Sequence, residues 1–310
     1  MTAQIAFVFP GQGSQQVEMG QDLYRASPEA RAVFEDANRI LDFDLTNLCF
    51  EGPKETLDDT VNAQPALLTV SIAALRALQH RTDLTTPAFV AGHSMGEYSA
   101  LVAAGALSFA DGLWLVRERG RLMKLAGERN PGGMAAVLGL DEQTVADICR
   151  QAGGVQVAND NAPGQIVISG TFDGIERAMD LASEAGARRV IRLAVSIAAH
   201  SVLMNSIVDE FAEAVRATPI QSPGIPVVGN IAARPLESVP ALRQELIQQL
   251  THPVRWVDSI RYMMDQGVGT FVEIGSGDVL AGLIRRIDRG AKRINVRSPS
   301  DIAEFKSLAA

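Results

Sequence analysis

The residues best suited to chemistry in this 310-residue chain lie in the segment Gly92 to Gly96, which reads GHSMG. A short apolar run from Ala88 to Ala91 precedes this segment, and a helical pattern rich in small residues follows it from Tyr98 to Ala106. A serine between glycines at a strand-to-helix turn presents its hydroxyl clear of the sheet. The following helix also points backbone N–H groups at any oxyanion formed beside Ser94. The pattern therefore predicts a serine nucleophile, and a phosphate-binding or packing turn is the alternative that it leaves open.

A nucleophilic serine needs a base, and the chain offers four histidines. His80 ends a predicted surface helix, His252 stands before a proline in a turn, and the elbow should turn the side chain of His93 away from Ser94. His200 follows a strand end and begins a helix, so it is the best candidate, although a purely structural histidine fits the same position. No aspartate before His200 occupies a clear strand-end turn. We therefore predict that a backbone carbonyl orients the imidazole.

A predicted helix after the elbow carries three arginines. Arg117 and Arg121 are four residues apart and share one face, whereas Arg119 points to the opposite, partly buried side. A buried arginine needs an anionic partner, and its planar guanidinium matches the two oxygens of a carboxylate. The spacing leaves two interpretations open: Arg119 binds a substrate carboxylate, or it forms a structural ion pair with Glu97 or Glu118.

The elements that must position these residues divide the chain into two patterns. The strand Ile5 to Phe9 ends at a Pro-Gly-Gln-Gly breaker, and it combines with the strand before Ser94 to predict a parallel α/β sheet. From residue 130 the order changes to β-α-β-β-α-β, which is typical of a ferredoxin-like unit. We therefore expect a large domain from residues 1–129 and 198–298, a small inserted domain from 130–197, and a flexible tail at 299–310.

Composition narrows the classes of function. The net charge of −8 argues against bulk nucleic-acid binding, and two isolated cysteines argue against zinc or redox sites. The N-terminal segment lacks the basic start of a signal peptide, and no stretch approaches the roughly 18 apolar residues of a membrane span. We expect a cytoplasmic protein that binds no metal and no membrane. No pattern indicates an oligomer, so we expect a monomer.

One basic cluster near the C-terminal end departs from the acidic average, with only Asp288 to offset it. Its members are Arg285, Arg286, Arg289, Lys292, Arg293 and Arg297. A solvated helix face is the plain interpretation of such a cluster. A surface that docks an acidic partner is the alternative.

Several motifs occur together in a fixed order along the chain. They are PGQGSQ from Pro10, Gln64-Pro65-Ala66, GHSMGEYSAL from Gly92, Arg119-Gly120, Asn161-x-Pro163-Gly164-Gln165, His200-Ser201, Asn230 with Ala233-Arg234-Pro235, and Pro253-Val254-x-Trp256. Together they resemble the malonyl-CoA:acyl-carrier-protein transacylases of fatty acid and polyketide synthesis. The resemblance runs from about Ile5 to Arg286. It implies an α/β-hydrolase-like core with an inserted ferredoxin-like domain.

The resemblance also implies a role for each matching position. Ser94 would be the nucleophile and His200 its base, and Arg119 would pair with the malonyl carboxylate. The remaining positions are the oxyanion-hole N–H groups of Gln12 and Met95, the pocket residues Gln64, His93 and Ala199, and the backbone carbonyl of His252 that orients the histidine. The substrates would be malonyl-CoA and an acyl carrier protein, with coenzyme A as a thioester substrate and no bound cofactor. The basic cluster, and not the resemblance, is the basis of a further hypothesis: Arg285, Arg286, Lys292 and Arg293 would dock the carrier protein.

Two departures from the family pattern bear on selectivity. His252 stands where asparagine is common, which is harmless if only its carbonyl matters. Ala199 stands where phenylalanine or serine is frequent in malonyl-selective members, and a smaller residue enlarges the acyl pocket, an effect worth about 1–3 kcal/mol. Met95 is apolar, as in malonyl-type members. The alternatives are a transacylase with broader extender-unit selectivity, a hydrolase acting on acyl carrier proteins, and an inactive carrier-binding subunit.

Overall fold

The computed structural model describes residues 4–81 and 86–309, and the side chains of residues 4–81 and 86–305. The strands in chain order are β1 Gln4–Phe9, β2 Phe89–Gly92, β3 Gly133–Leu138, β4 Val155–Ala162, β5 Gln165–Gly170, β6 Arg189–Arg192, β7 Val227–Val228, β8 Val254–Arg255, β9 Val268–Ile274 and β10 Lys292–Val296. They form two separate five-stranded sheets.

Helices cover both sheets. In chain order they are α1 Gln21–Ala26, α2 Pro28–Leu41, α3 Leu45–Glu51, α4 Lys54–Asp58, α5 Thr60–Arg81, α6 Gly96–Ala103, α7 Phe109–Arg129, α8 Glu142–Ala152, α9 Phe172–Glu184, α10 Asn205–Ala217, α11 Val239–Gln248, α12 Trp256–Asp265, α13 Val279–Ile287 and α14 Pro299–Ala309. Local signals explain several starts. In α2, for example, the Ser27 hydroxyl accepts the Ala30 N–H at 3.3 Å and Pro28 occupies the first turn.

The large domain is built on a parallel sheet with the strand order β10-β9-β1-β2-β7. Its central strand β1 pairs with β2 in a register that sets Phe9 opposite Gly92. Central strands of this kind are apolar on both faces because helices cover both sides of the sheet. The loops that leave β1 and β2 therefore emerge side by side at the carboxyl edge of the sheet, where open α/β sheets place their sites.

Helix α5 runs through the middle of this domain. By length and composition it is apolar enough to cross a membrane, yet 83% of its most apolar stretch is buried inside the protein. Its neighbours α2, α6 and α7 pack around it in the main hydrophobic core. We therefore interpret α5 as a core helix.

The small domain is a sheet in the order β6-β3-β5-β4-β8, with α8 and α9 packed against it. The pairs among β3, β4, β5 and β6 are antiparallel, and their β-α-β-β-α-β chain order is that of a ferredoxin-like unit. The expected α/β class with two sheets is thus confirmed. One feature was not predicted: β8, which follows the large-domain helix α11, pairs in parallel with β4 and ties the two domains together.

Short or irregular elements lie next to His200 and Asn230. The helix predicted to begin at His200 opens as a single 3-10 turn over Val202–Met204 and continues as α10 from Asn205. The strand before Asn230, β7, contains only Val227 and Val228. In both places a functional side chain lies in irregular backbone at the end of an element.

The expectation of a flexible tail at 299–310 is wrong for the residues that the structure describes. Residues Pro299–Ala309 form α14, and Ile302 and Phe305 are 2% and 4% exposed in the main core. These two apolar residues are three apart and so lie on one helix face. That short signal was missed because polar residues surround it.

Replacing Phe305 tests whether α14 belongs to the folded core. Phe305→Ala should lower the free energy of unfolding by about 3–5 kcal/mol, because it leaves a cavity in a closed core. Ala303→Ser, at an exposed position of the same helix, should change it by less than about 0.5 kcal/mol. Urea unfolding followed by circular dichroism measures both variants. If the Phe305→Ala and Ala303→Ser variants were equally stable, α14 would not belong to the folded core.

Candidate active site

The nucleophile elbow is formed where β2 ends and α6 begins. Ser94 adopts a left-handed backbone conformation with φ of 52°, which is strained for a residue with a side chain. A Cβ on Gly92 would lie 2.0 Å from the Gly96 carbonyl carbon, and one on Gly96 would lie 2.2 Å from the Phe9 carbonyl oxygen. Glycine is therefore required at both positions, and the tight turn that it permits leaves Ser94 partly exposed.

Asn230 holds this strained turn from behind. The Ser94 N–H donates to Asn230 Oδ1 at 2.7 Å, and Asn230 Nδ2 donates to the Gly92 carbonyl at 2.8 Å. Both donors of Asn230, the backbone N–H at 2.9 Å and the side-chain amide, also reach Oε2 of the fully buried Glu97. Burial, and then the neighbouring Glu245, raise the pKa of Glu97 well above its usual range. The elbow thus rests on a buried polar network that spans more than 130 residues of sequence.

Ser94 and His200 are in direct contact, with Ser94 Oγ 2.8 Å from His200 Nε2. The other ring nitrogen, Nδ1, faces two backbone carbonyls, those of Gln249 at 2.8 Å and His252 at 3.1 Å. Carbonyls only accept, so Nδ1 carries the hydrogen and Nε2 is left free to accept the serine proton. The structure places backbone carbonyls where the sequence analysis expected one, and the Gln249 carbonyl is an additional one.

The charge state of His200 suits a base. Burial, followed by the positive charge of Arg119, lowers the pKa of His200 to about 3. The imidazole is therefore neutral at neutral pH, which is the form that takes a proton from a hydroxyl.

Arg119 reaches the nucleophile from α7 and is only 2% exposed. Its Nη2 donates to Ser94 Oγ at 3.1 Å and to Gln249 Oε1 at 2.9 Å, and its Nη1 donates to Gln64 Oε1 at 2.9 Å. The Nε–H of Arg119 is buried and has no partner among the described residues. These contacts bring a buried cation to within hydrogen-bonding distance of Ser94.

Arg119 forms no ion pair within the described part of the chain. Glu118, one of its two suggested partners, instead pairs with Arg121 at 2.6 Å. Glu97, the other, accepts hydrogen bonds from Asn230. The three oxygens that accept hydrogen bonds from the guanidinium belong to the neutral side chains of Gln64, Ser94 and Gln249. Glu97 acts on Arg119 only through longer-range electrostatics, so the structure does not bear out the ion-pair interpretation of Arg119.

A ladder of side chains joins Arg119 to the loop after β1. Fully buried Gln64 donates to Thr60 Oγ1 at 2.9 Å, and Thr60 Oγ1 donates to Gln12 Oε1 at 2.9 Å. The neighbouring Gly11 is so close to the elbow that a Cβ there would lie 2.4 Å from the His93 carbonyl oxygen. The loop that contains Gln12 therefore runs beside Ser94.

The two N–H groups predicted to form an oxyanion hole lie on either side of this loop-to-elbow contact. Neither the Gln12 N–H nor the Met95 N–H donates to another group in the described residues. Met95 also stands at the N-terminal cap of α6, where the helix dipole favours negative charge. Both N–H groups remain available to an oxyanion formed at Ser94.

His93 and Ala199, the other predicted pocket residues, flank the pair. His93 Nε2 lies 2.7 Å from Asn161 Oδ1 of the small domain, and its ring stacks edge-to-face on Trp256 at 5.6 Å. Its hydrogen bond is thus directed to Asn161 and not to Ser94. Ala199, next to His200, is partly buried and packs against the main core.

Gln249 is a functional residue that sequence reasoning missed. It is fully buried, its carbonyl meets His200, its Oε1 meets Arg119, and its Nε2 donates to the Ser94 carbonyl at 3.1 Å. No local pattern marks it, because it simply follows the last turn of α11. The one indirect signal was its position three residues before His252, whose carbonyl was predicted to orient His200.

Only three members of the basic cluster share one surface in the structure. Arg285, Arg286 and Arg289 line an open groove of about 600 Å³ with Pro163 and Gly282. Pro163 lies two residues after Asn161, the partner of His93, so the chain connects this end of the groove to the elbow. Lys292 and Arg293 belong to β10 and do not line the groove, and Arg297 lies near Asp278 and Asp301.

Comparison with known proteins places this geometry in a family. Residues 6–297 match the acyl transferase domain family. The chain is 46% identical over 304 residues to a malonyl CoA-acyl carrier protein transacylase of Bacillus subtilis, with 97% of this chain and 95% of that protein covered. A solved malonyl CoA-acyl carrier protein transacylase from Coxiella burnetii superposes with a TM-score of 0.96 at 39% identity, covering 98% and 97% of the two chains.

A third match contains a partner protein. It is a type II polyketide synthase acyl-carrier protein in complex with its malonyl-transacylase, with a TM-score of 0.96, 38% identity, and coverage of 99% of this chain and 100% of that one. The family resemblance stated from the motifs is confirmed.

The state of His200 predicts how the reactivity of Ser94 depends on pH. The neutral imidazole is the base, so reactivity is lost only as pH falls through the pKa of His200, which burial lowers to about 3. Labelling of Ser94 by a fluorophosphonate should therefore remain on its plateau down to about pH 5, well below the ordinary histidine range. Labelling rates followed by intact mass test this, with His200→Ala as the unreactive control. Half-maximal labelling near the ordinary pKa of 6.5 would contradict it.

Proposed function

The chain belongs to the acyl transferase domain family, and from this premise we propose that it moves a malonyl group from coenzyme A to the phosphopantetheine thiol of an acyl carrier protein. The observation that carries this proposal is the buried guanidinium of Arg119, which lies 3.1 Å from Ser94 Oγ and donates hydrogen bonds to neutral oxygens only. A substrate that brings its own carboxylate supplies the missing counter-charge. Malonyl is such an acyl group, whereas acetyl is not.

The first half-reaction loads the enzyme. His200 Nε2 takes the Ser94 proton as Oγ attacks the thioester carbonyl, and the N–H groups of Gln12 and Met95 receive the resulting oxyanion. Each such donor typically contributes about 3–4 kcal/mol to the transition state. The tetrahedral species collapses, the C–S bond breaks, and the imidazolium returns its proton to the coenzyme A thiolate. The products are malonyl-Ser94 and free coenzyme A.

The second half-reaction reverses the same chemistry with another thiol. The carrier's phosphopantetheine thiol gives its proton to His200 and attacks the ester carbonyl, and Ser94 Oγ leaves with that proton. Coenzyme A thus enters as the malonyl thioester and leaves as the free thiol, and the chemistry needs no bound cofactor. Because the two thiols use one site in turn, the kinetics are ping-pong.

Arg119 gives this site its selectivity. A guanidinium presents paired N–H groups that match a carboxylate, and its unpartnered Nε–H is one of the donors available for that purpose. We infer that the same contact holds the ester in place while coenzyme A leaves and the carrier arrives.

The groove lined by Arg285, Arg286 and Arg289 is our candidate for carrier docking. Three arginines beside Pro163 form a positive surface on a protein of net charge −8. Such local charge steers an acidic partner and raises its rate of encounter. We also place the protein in the cytoplasm, where both of its buried cysteines would stay as the free thiols seen here.

The role of Arg119 is tested by loading the enzyme with competing thioesters. Incubation with malonyl-, methylmalonyl- and acetyl-CoA, read by intact mass, should give mainly the malonyl adduct on Ser94. Arg119→Ala should lower malonyl loading about 100-fold or more relative to acetyl loading, because a buried carboxylate contact is lost. Arg121→Ala, on the exposed face of the same helix, is the matched control and should leave the ratio unchanged.

Three outcomes would favour other functions. Rapid loss of the adduct in water without an acceptor thiol favours a hydrolase. Methylmalonyl loading as fast as malonyl loading favours a broader extender-unit selectivity, with the small Ala199 as its cause. No adduct from any thioester, with the fold intact, would favour an inactive carrier-binding protein.

Charge reversal tests the docking groove. Arg285→Glu should weaken transfer to an acidic carrier protein about tenfold at low salt and leave malonyl loading unchanged, because only the second half-reaction uses this surface. Lys292→Glu, beyond the groove, should have a smaller effect in the same direction. Arg150→Glu, at an exposed position on the small domain, is the control. The KM for the carrier, measured against salt concentration, separates these cases, and equal loss of both half-reactions would contradict docking at this groove.

A further inference from the structure

Gln156, on β4 of the small domain, makes contacts that the proposed chemistry does not yet use. Its side-chain Nε2 donates to the carbonyl of His200 at 3.2 Å and to the carbonyl of Thr251 at 3.2 Å. Its Oε1 accepts the N–H of Val202 at 3.1 Å. One amide therefore joins backbone atoms of two large-domain segments that are some 50 residues apart in the chain.

Both segments determine where the His200 imidazole lies. The first contains His200 itself, which has a left-handed φ of 58° and is followed by the 3-10 turn that begins at Val202. A left-handed residue with a side chain persists only where its surroundings hold it. Gln156 satisfies the carbonyl of that residue and the first N–H of the turn after it, so it braces the strained backbone on both sides.

The second segment holds the ring. Thr251 lies between Gln249 and His252, whose carbonyls accept from His200 Nδ1. By holding the Thr251 carbonyl, Gln156 fixes the loop that supplies both acceptors. The same side chain thus fixes the backbone that carries the imidazole and the backbone that orients it.

The strand that carries Gln156 reaches the other half of the site as well. Asn161 of β4 bonds His93, the residue before the nucleophile, at 2.7 Å. The two ends of β4 therefore contact both flanks of the Ser94–His200 pair. A shift of the small domain against the large one would be transmitted to the base through Gln156.

We propose that Gln156 is a positioning residue: an inter-domain clamp that sets the imidazole of His200 against Ser94. The proposal rests on the proposed function only for its substrate, since the alignment of Ser94 and His200 is also measurable with a serine-reactive probe. A misplacement of a reacting group by about 1 Å costs up to about 100-fold in rate. Loss of the clamp should therefore lower the rate of the chemical step and spare substrate binding, because Gln156 does not touch Arg119.

Loss of the clamp should also change how the base titrates. The charged and titratable groups that face His200 are Arg119 on α7 and His93 at the elbow, and Gln156 is neutral. Removing its amide changes no charge but loosens the segment and admits water, which relieves the burial that lowers the pKa of His200. The acid limb of Ser94 reactivity should therefore move to higher pH, a change that loss of stability alone would not produce.

The test compares Gln156→Met with the wild-type protein. Methionine keeps the length and packing of glutamine but makes none of the three hydrogen bonds. The rate of Ser94 acylation by malonyl-CoA at saturation should fall about 10- to 100-fold with KM within about twofold. Fluorophosphonate labelling should slow in parallel, with its acid limb shifted to higher pH. Gln143→Met, at an exposed position on α8 of the same domain, should behave as wild type.

The possible outcomes distinguish the positioning role of Gln156 from the proposed malonyl transfer. An unchanged rate and pH profile in Gln156→Met would overturn the clamp even if the wild type forms a malonyl adduct. A wild type that forms no adduct would overturn the proposed function, and the labelling comparison would still decide the clamp. If Gln156→Met does not fold, Gln156→Asn, whose amide is one methylene shorter, should show the same losses to a smaller degree. Unchanged labelling in that variant would reject the proposal.

Discussion

The structure depends on keeping one positive charge buried beside a nucleophile. Arg119 is 2% exposed, and burying an unpaired charge is costly unless its donors are hydrogen-bonded. Three oxygens accept hydrogen bonds from the guanidinium. They belong to Gln64 on α5, Gln249 at the end of α11 and Ser94 at the elbow. All three are neutral, so they stabilise the cation without cancelling its charge. The elements of the large domain must therefore meet at this one guanidinium, and the charge stays available to an acyl group that carries a carboxylate.

A second constraint is backbone strain at both reacting residues. Ser94 and His200 each adopt a left-handed conformation, with φ of 52° and 58°. Local sequence does not hold such conformations, so distant groups hold them: Asn230 at the Ser94 N–H, and Gln156 at the His200 carbonyl. Buried polar residues surround the site because the left-handed backbone at Ser94 and His200 must be held in place. Their side chains supply the hydrogen bonds that a regular helix or strand would have supplied.

The difference between local patterns and long-range contacts explains how much of the structure the sequence predicted. The α/β class, the ferredoxin-like order of the small domain, and Ser94, His200 and Arg119 as candidates follow from local signals such as strand ends, glycine spacing and helix faces. The roles of these three residues came from the family resemblance. Gln249 and Gln156 could not be found that way, because each acts through a backbone atom or an amide whose partner is distant in the chain. The helix at 299–309 was missed for a different reason, since among the side chains that the structure describes its core contact rests on Ile302 and Phe305. Prediction failed where a long-range contact, not a local pattern, decided the structure.

Two buried carboxyl groups, those of Glu97 and Glu245, lie behind the elbow. Glu97 and Glu245 are both buried near Asn230, and desolvation is the main reason that the pKa of each is raised. Two neighbouring carboxyl groups out of water do not both ionise readily, because each charge opposes the other. Two negative charges behind Ser94 would offset Arg119 and repel an incoming carboxylate. A protonated Glu97 still accepts from Asn230 and still supports the elbow, so the turn can be held by an acid that adds no negative charge to the site. Support of the nucleophile and attraction of the substrate are thereby satisfied by one network.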